Sequence, residues 1–146
     1  MSDVKNYLAF DFGASSGRAI LGKLHDGKLE LDEVHRFSND PVEINGHYYW
    51  DTFRLFYEIK QGLIKYAQGN YGPLDGIGID AWGVDFGLIG PSGELLGVPY
   101  HYRDSRTDGM MEEADRLMGR RRIFDESGIS HEFFNTVNQL LAMVKQ

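Results

Sequence analysis

The chain has 146 residues, 42% hydrophobic and 13% aromatic, enough to build a sizeable core in one domain. It is acidic, with 15 Lys+Arg against 22 Asp+Glu, and Arg120, Arg121 and Arg122 form only a short cluster suited to a solvated helix end, so nucleic acid is not an expected partner. The absence of cysteine excludes disulfides, thiolate nucleophiles and Cys-ligated zinc; with no basic leader and no apolar run near the ~20 residues a bilayer needs, the expectation is a cytoplasmic protein with no membrane partner.

The first elements look like strands joined by tight turns. Tyr7 to Phe10 is a short apolar run, Arg18 to His25 alternates, and Asp26-Gly27 signals a two-residue hairpin into a third strand over Lys28 to Phe37. Ser38 to Trp50 reads as a loop or irregular hairpin turning at Asn45-Gly46. A helix follows, capped by Asp51 or Thr52 and stopped at Gly69, with Phe53, Phe56, Tyr57, Leu63, Ile64 and Ala67 predicted as its core stripe. Gly76 to Trp82 is expected as a buried strand and Val84 to Ile89 as another, before a turn at Pro91-Ser92-Gly93. From Thr107 the pattern is helical, with Met110, Met111, Ala114, Leu117 and Met118 on one face. A last helix from Phe134 places Val137, Leu140, Leu141 and Val144 together.

A β-β-β-α-β order is not the repeating βαβ of a dinucleotide-binding fold. It predicts an α/β domain of the ribonuclease H-like (actin-like ATPase) class: a mixed sheet opening with three antiparallel strands and flanked by helices.

Three stretches carry chemistry. AFDFGASSGR (9–18) crowds glycine and serine behind a strand, but matches neither GxGxxG nor GxxxxGK[ST], and a strand rather than a helix follows. Backbone amides around Gly13 and Gly17, the hydroxyls of Ser15 and Ser16, and the charge of Arg18 suit an anion; Asp11 beside them makes sense if Mg²⁺ or its water shell intervenes. The alternative is a polar hairpin turn. GIDAWGVDF (78–86) sets Asp80 at a strand end, then Trp82, whose face suits the C–H side of a sugar, then Gly83, which allows a hydroxyl to reach the backbone, then Asp85. Core packing and an ordinary turn are the alternative there. YRDSRT (102–107) clusters Arg103, Asp104 and Arg106, as a structural salt bridge or as polyhydroxyl contacts.

With NGHYYWD (45–51) and SGISHEFFNT (127–136), these motifs resemble the N-terminal half of FGGY-family carbohydrate kinases from about Tyr7 onward. The resemblance implies an enzyme that moves the γ-phosphoryl group of ATP to a ketose with Mg²⁺, in a cleft between two domains. L-rhamnulose is the implied acceptor; xylulose, fuculose or glycerol are the alternatives within the family. Carried over by motif, Gly13, Ala14, Ser15, Ser16, Gly17 and Arg18 would hold ATP phosphate, Asp11 the magnesium shell, and Gly83 the sugar. Trp82, Asp80, Arg103 and Asp104 would line the sugar side, with Phe134 and Asn135 closing it. The family's general base, its adenosine motifs and its C-terminal domain would lie beyond Gln146, so residues 1–146 are expected to be an N-terminal kinase domain that is inactive alone. A metal-dependent nuclease using Asp11, Asp80 and Asp85, and a sugar- or nucleotide-binding module without chemistry, are the competing classes.

Overall fold

The structure, a computed structural model, describes residues 4–145. Alternation decides the first strand. In β1 (Lys5–Phe12), Asn6, Leu8, Phe10 and Phe12 are buried, while Tyr7 and Ala9 face outward. β2 (Ser16–His25) runs antiparallel to β1, and β3 (Lys28–Ser38) antiparallel to β2. Asp26 and Gly27 join the last two strands, both at positive φ (49° and 72°), as a primed hairpin turn requires.

Helix α1 (Thr52–Gln68) starts on Asp51, whose carboxylate accepts the Arg54 N–H at 2.9 Å. After α1 the chain returns as β6 (Gly76–Asp80), parallel to β1, giving a mixed sheet of order β3-β2-β1-β6. The expected class, three antiparallel strands followed by a helix and a parallel strand, is what forms.

The buried side of α1 differs from the predicted stripe. Phe53 is 80% exposed and Phe56 61%, and of the predicted set only Leu63 packs against the core. The inward positions are Glu58, Gly62 and Tyr66. Gly62 sets the close approach: a Cβ there would lie 2.6 Å from Phe10 Cε1 and 3.1 Å from Ala19 Cβ. Glu58 is tolerated inside because His35 Nε2 (2.5 Å) and Arg54 Nε (2.5 Å) both meet its carboxylate, and Lys65 reaches the other ring nitrogen of His35 at 2.8 Å. Likewise β6, expected buried, is an outer strand among the described residues, with Ile77 and Ile79 exposed.

Residues 4–41 with 51–83 form one compact unit, and 42–50 with 84–145 a second. In the second, β4 (Val42–Ile44) and β5 (His47–Tyr49) make a ribbon around Asn45-Gly46, both at positive φ. The strand expected over Val84 to Ile89 is absent; this glycine- and proline-punctuated segment keeps a single bridge, Ile89 to Leu95. A short 3-10 turn, Ser105–Thr107, precedes α2 (Met110–Met118), α3 (Arg120–Ser127) and α4 (Thr136–Lys145). Gly119 and Gly128, both at positive φ, bracket α3. The buried face of α4 is Asn138, Gln139 and Ala142, while the predicted apolar face with Val137, Leu140 and Val144 is exposed. Asn138 and Gln139 sit inside because His131, Glu132, Val84 and Phe134 supply hydrogen-bond partners.

Candidate functional site

The β1–β2 connection is three residues long. Gly13 N–H donates to Ser16 O at 3.0 Å, and Asn39, just past β3, closes the loop from the side, donating from Nδ2 to Gly13 O (2.8 Å) and from its backbone to Ser15 O (3.0 Å). A Cβ at Gly13 would stand 2.8 Å from Ser16 O, so glycine is required for space. Gly17 makes space as well, here for a side chain: an added Cβ would lie 2.1 Å from Phe37 Cζ. Neither glycine therefore frees an amide as the sequence suggested. Gly13 N–H is internally bonded and Gly17 lies within β2. Among the described residues, the amides of this loop without a hydrogen bond are those of Ala14 and Ser15, beside the hydroxyls of Ser15 and Ser16.

Asp11 sits opposite Arg18 in the β1–β2 register, and Arg18 Nε and Nη2 both reach Asp11 Oδ2 at 2.9 Å. The pair remains about 40% exposed on each side. Asp80 is Asp11's neighbour in the parallel β1–β6 register, so the two carboxylates share a sheet face at adjacent strand ends. Among the described residues no group of three or more His, Asp and Glu is arranged to hold a metal ion. Two neighbouring carboxylates nevertheless fit Mg²⁺, which keeps several waters and takes one or two protein carboxylates plus phosphate oxygens.

In the same unit Trp82 stacks on Phe12 with centroids 6.5 Å apart, so one side of its ring belongs to the core. Next to it, Gly83 is exposed, and a Cβ built there would meet no atom within 4 Å.

The second unit carries an aromatic column. Trp50 packs on His101 (4.2 Å), His101 on Tyr102 (4.5 Å, 22° between planes), and Phe134 meets Tyr102 edge-on at 6.0 Å. The Arg103 guanidinium lies 5.2 Å over the Tyr102 ring and is exposed. Tyr102, which the sequence motif contains without marking it as a site residue, has the ring that joins Arg103 to Phe134. Burial, and then the charge of Arg103, hold the His101 imidazole below its ordinary value.

Asp104 sits apart from this surface. It is 1% exposed and accepts from His47 Nδ1 (3.1 Å), Tyr48 N–H (2.7 Å) and Arg106 N–H (2.9 Å), tying β5 to the 3-10 turn. Asn135 donates to Ser130 O at 2.7 Å, bracing the entry to α4. Asp85 is likewise engaged: Trp50 Nε1 donates to one oxygen (2.6 Å) and Gln139 Nε2 to the other (3.3 Å), while burial raises its carboxyl above the usual range. With both oxygens taken, it is not available as the third carboxylate of a two-metal nuclease.

No family model matches the chain. It is 45% identical over 136 residues to a rhamnulokinase of Oceanobacillus iheyensis, covering 93% of this chain and 29% of the relative. It is 46% identical over 142 residues to a rhamnulokinase of Halalkalibacterium halodurans, covering 97% and 30%. A gluconate kinase from Lactobacillus acidophilus superposes with TM-score 0.83 over 99% of this chain and 29% of its own, at 15% identity. A xylulose kinase from the same organism superposes with TM-score 0.82, over 97% and 29%, also at 15% identity. The chain thus spans less than a third of the length of these relatives. Sequence similarity over 93–97% of this chain makes it a homologue of part of the rhamnulokinases, and its fold is shared with the gluconate and xylulose kinases of known structure.

Proposed function

We propose that this chain is the phosphate-binding and part of the sugar-binding side of a rhamnulokinase, transferring the γ-phosphoryl group of ATP to L-rhamnulose to give L-rhamnulose 1-phosphate. The observation that carries the reading is the three-residue β1–β2 loop with Asp11, Arg18 and Asp80 beside it. In this reading the Ala14 and Ser15 amides and the Ser15 and Ser16 hydroxyls receive phosphate oxygens, and Arg18 supplies positive charge. Gly13 and Gly17 act by shaping the loop. Asp11 and Asp80 would hold the water shell of Mg²⁺, which when bound neutralises phosphate charge.

On the sugar side, Gly83 leaves space beside its backbone for a hydroxyl, and the outer face of Trp82 gives the sugar an apolar contact. Within the second unit taken by itself, Arg103, Tyr102 and Phe134 offer a cation over aromatic surface, suited to hydroxyls and C–H groups together. Asp104 and Asn135 support this reading as positioning residues, through β5 and the start of α4. The general base, the adenosine contacts and a C-terminal domain are assigned to the further length that the relatives possess, and the location to the cytoplasm. The 146-residue chain alone is then inactive, since alignment of the two reactants is worth roughly 7–11 kcal/mol.

The test is a coupled ADP-release assay of the native protein containing this chain, with Mg²⁺-ATP and a panel of L-rhamnulose, L-fuculose, D-xylulose and glycerol. L-rhamnulose should give the highest kcat/KM. A preference for another acceptor would reassign the substrate within the family, and no ADP release with any of them would remove the kinase reading. Turnover by the 146 residues alone would place the base within them.

A further inference from the structure

The second unit contains a cavity of about 250 Å³ that the proposed kinase chemistry does not use, lined by Tyr49, Leu88, Val98, Tyr100, Met143 and Arg106 among others. Its walls are largely apolar, yet one wall is a cation. Arg106 is 8% exposed, and of its guanidinium nitrogens only Nη2 is hydrogen-bonded among the described residues, to Gln139 Oε1 at 2.8 Å. Its Nε is buried without a partner. Below, the guanidinium stacks 4.0 Å over the Tyr100 ring, which stabilises the charge but accepts no N–H bond in the guanidinium plane.

The two carboxylates that act on Arg106 through space are committed elsewhere. Asp85 serves Trp50 and Gln139, and Asp104 serves His47, Tyr48 N–H and the backbone of Arg106. Neither makes an ion pair with the guanidinium. A buried cation with donors left over is costly unless an anion meets it, and a planar guanidinium matches a carboxylate in particular.

We propose that this cavity binds a small organic carboxylate, its charge against Arg106 and its apolar body against Leu88, Val98 and Met143. The volume falls below the usual ~300–1,000 Å³ of drug-sized sites, which limits the occupant to a short aliphatic or single-ring acid.

The experiment is a ¹⁵N–¹H NMR titration of the native protein containing this chain with benzoate and with benzyl alcohol, at ionic strength held constant with NaCl. The two probes share a ring and differ in charge. Benzoate should give saturable shifts clustered at Tyr49, Leu88, Val98 and Tyr100, with a Kd on the order of 1–10 mM for so small a ligand. Benzyl alcohol should bind at least about tenfold more weakly, the share a charge-assisted hydrogen bond contributes. Arg106→Met should abolish the preference for benzoate. Val98→Phe, at a half-exposed rim position, should block both probes while Arg106 stays in place. Equal affinity for the two probes, shifts located elsewhere, or no saturable shift would overturn the proposal. If Arg106→Met does not fold, the comparison of probes on the unaltered chain and Val98→Phe still decides.

Discussion

Asp11 and Arg18 face each other across the β1–β2 ladder, and two nitrogens of the arginine converge on one oxygen of the aspartate, Oδ2. The pair is a cross-strand ion pair at the mouth of the Gly/Ser loop, with the second aspartate oxygen left for another partner. Because both side chains are about 40% exposed, their mutual attraction contributes little to stability, roughly 0.2–1 kcal/mol.

Asp11→Ala and Arg18→Ala in the native protein should therefore leave the thermal midpoint nearly unchanged. If the pair serves phosphate and Mg²⁺, each should lower kcat by roughly 10²–10³, the usual effect of deleting one preorganised charge partner. Calorimetry with steady-state kinetics checks both parts. Near-normal turnover in both variants would return the pair to a purely structural role.

A Cβ added at Gly83 meets no atom within 4 Å. Gly83→Val should accordingly fold normally and raise the KM for the sugar far more than that for ATP. An equal rise in both constants would mean that the space beside Gly83 is not where the sugar lies.

Gly62→Ala tests the packing of α1 on the sheet. Alanine gains about 1 kcal/mol in helix propensity. Its Cβ, however, would stand 2.6 Å from the buried Phe10 ring, and overpacking of that kind costs roughly 1–3 kcal/mol. A net loss of stability in urea melts is expected. A stabilised variant would show that α1 can lift from Phe10 at no cost.

His101 gives a pH prediction. Its value is lowered from the ordinary 6.5, first by burial and then by Arg103, and its Nδ1 accepts the Arg103 N–H at 3.0 Å, which requires that nitrogen to be unprotonated. The unfolded chain therefore takes up this proton before the folded one. The contribution of His101 to stability is complete above pH ~6.5 and is lost as pH falls through its folded value. An NMR titration of the His101 Cε1 proton should show a midpoint below 6.5. A midpoint at or above 6.5 would contradict the burial of the ring in the aromatic column.

Local chemistry made much of this legible. The strands at Tyr7 to Phe10 and at Arg18 to His25, the Asp26-Gly27 and Asn45-Gly46 turns, and the Asp51 cap each follow from interactions a few residues apart, and they appear as expected. The strand-turn-strand setting of Asp11 to Arg18 was readable for the same reason. Helix faces were not. On α1 and α4 the sequence pointed to the most apolar stripe, whereas the buried positions are Glu58 and Gly62 on one, and Asn138 and Gln139 on the other.

Those choices depend on partners far away in sequence. Glu58 is buried because His35 is 23 residues distant yet beside it, Gly62 because Phe10 needs its space, and Gln139 because Val84 O lies within reach. The same holds for the site. Sequence by itself determined the residue types at the loop and strand ends, since turns and alternation are local. Only the tertiary structure decided that Asp104 faces inward, that Asp11 stands between Arg18 and Asp80, and that Arg106 is left with donors to spare. Pairing and desolvation arise only when distant segments share one interior.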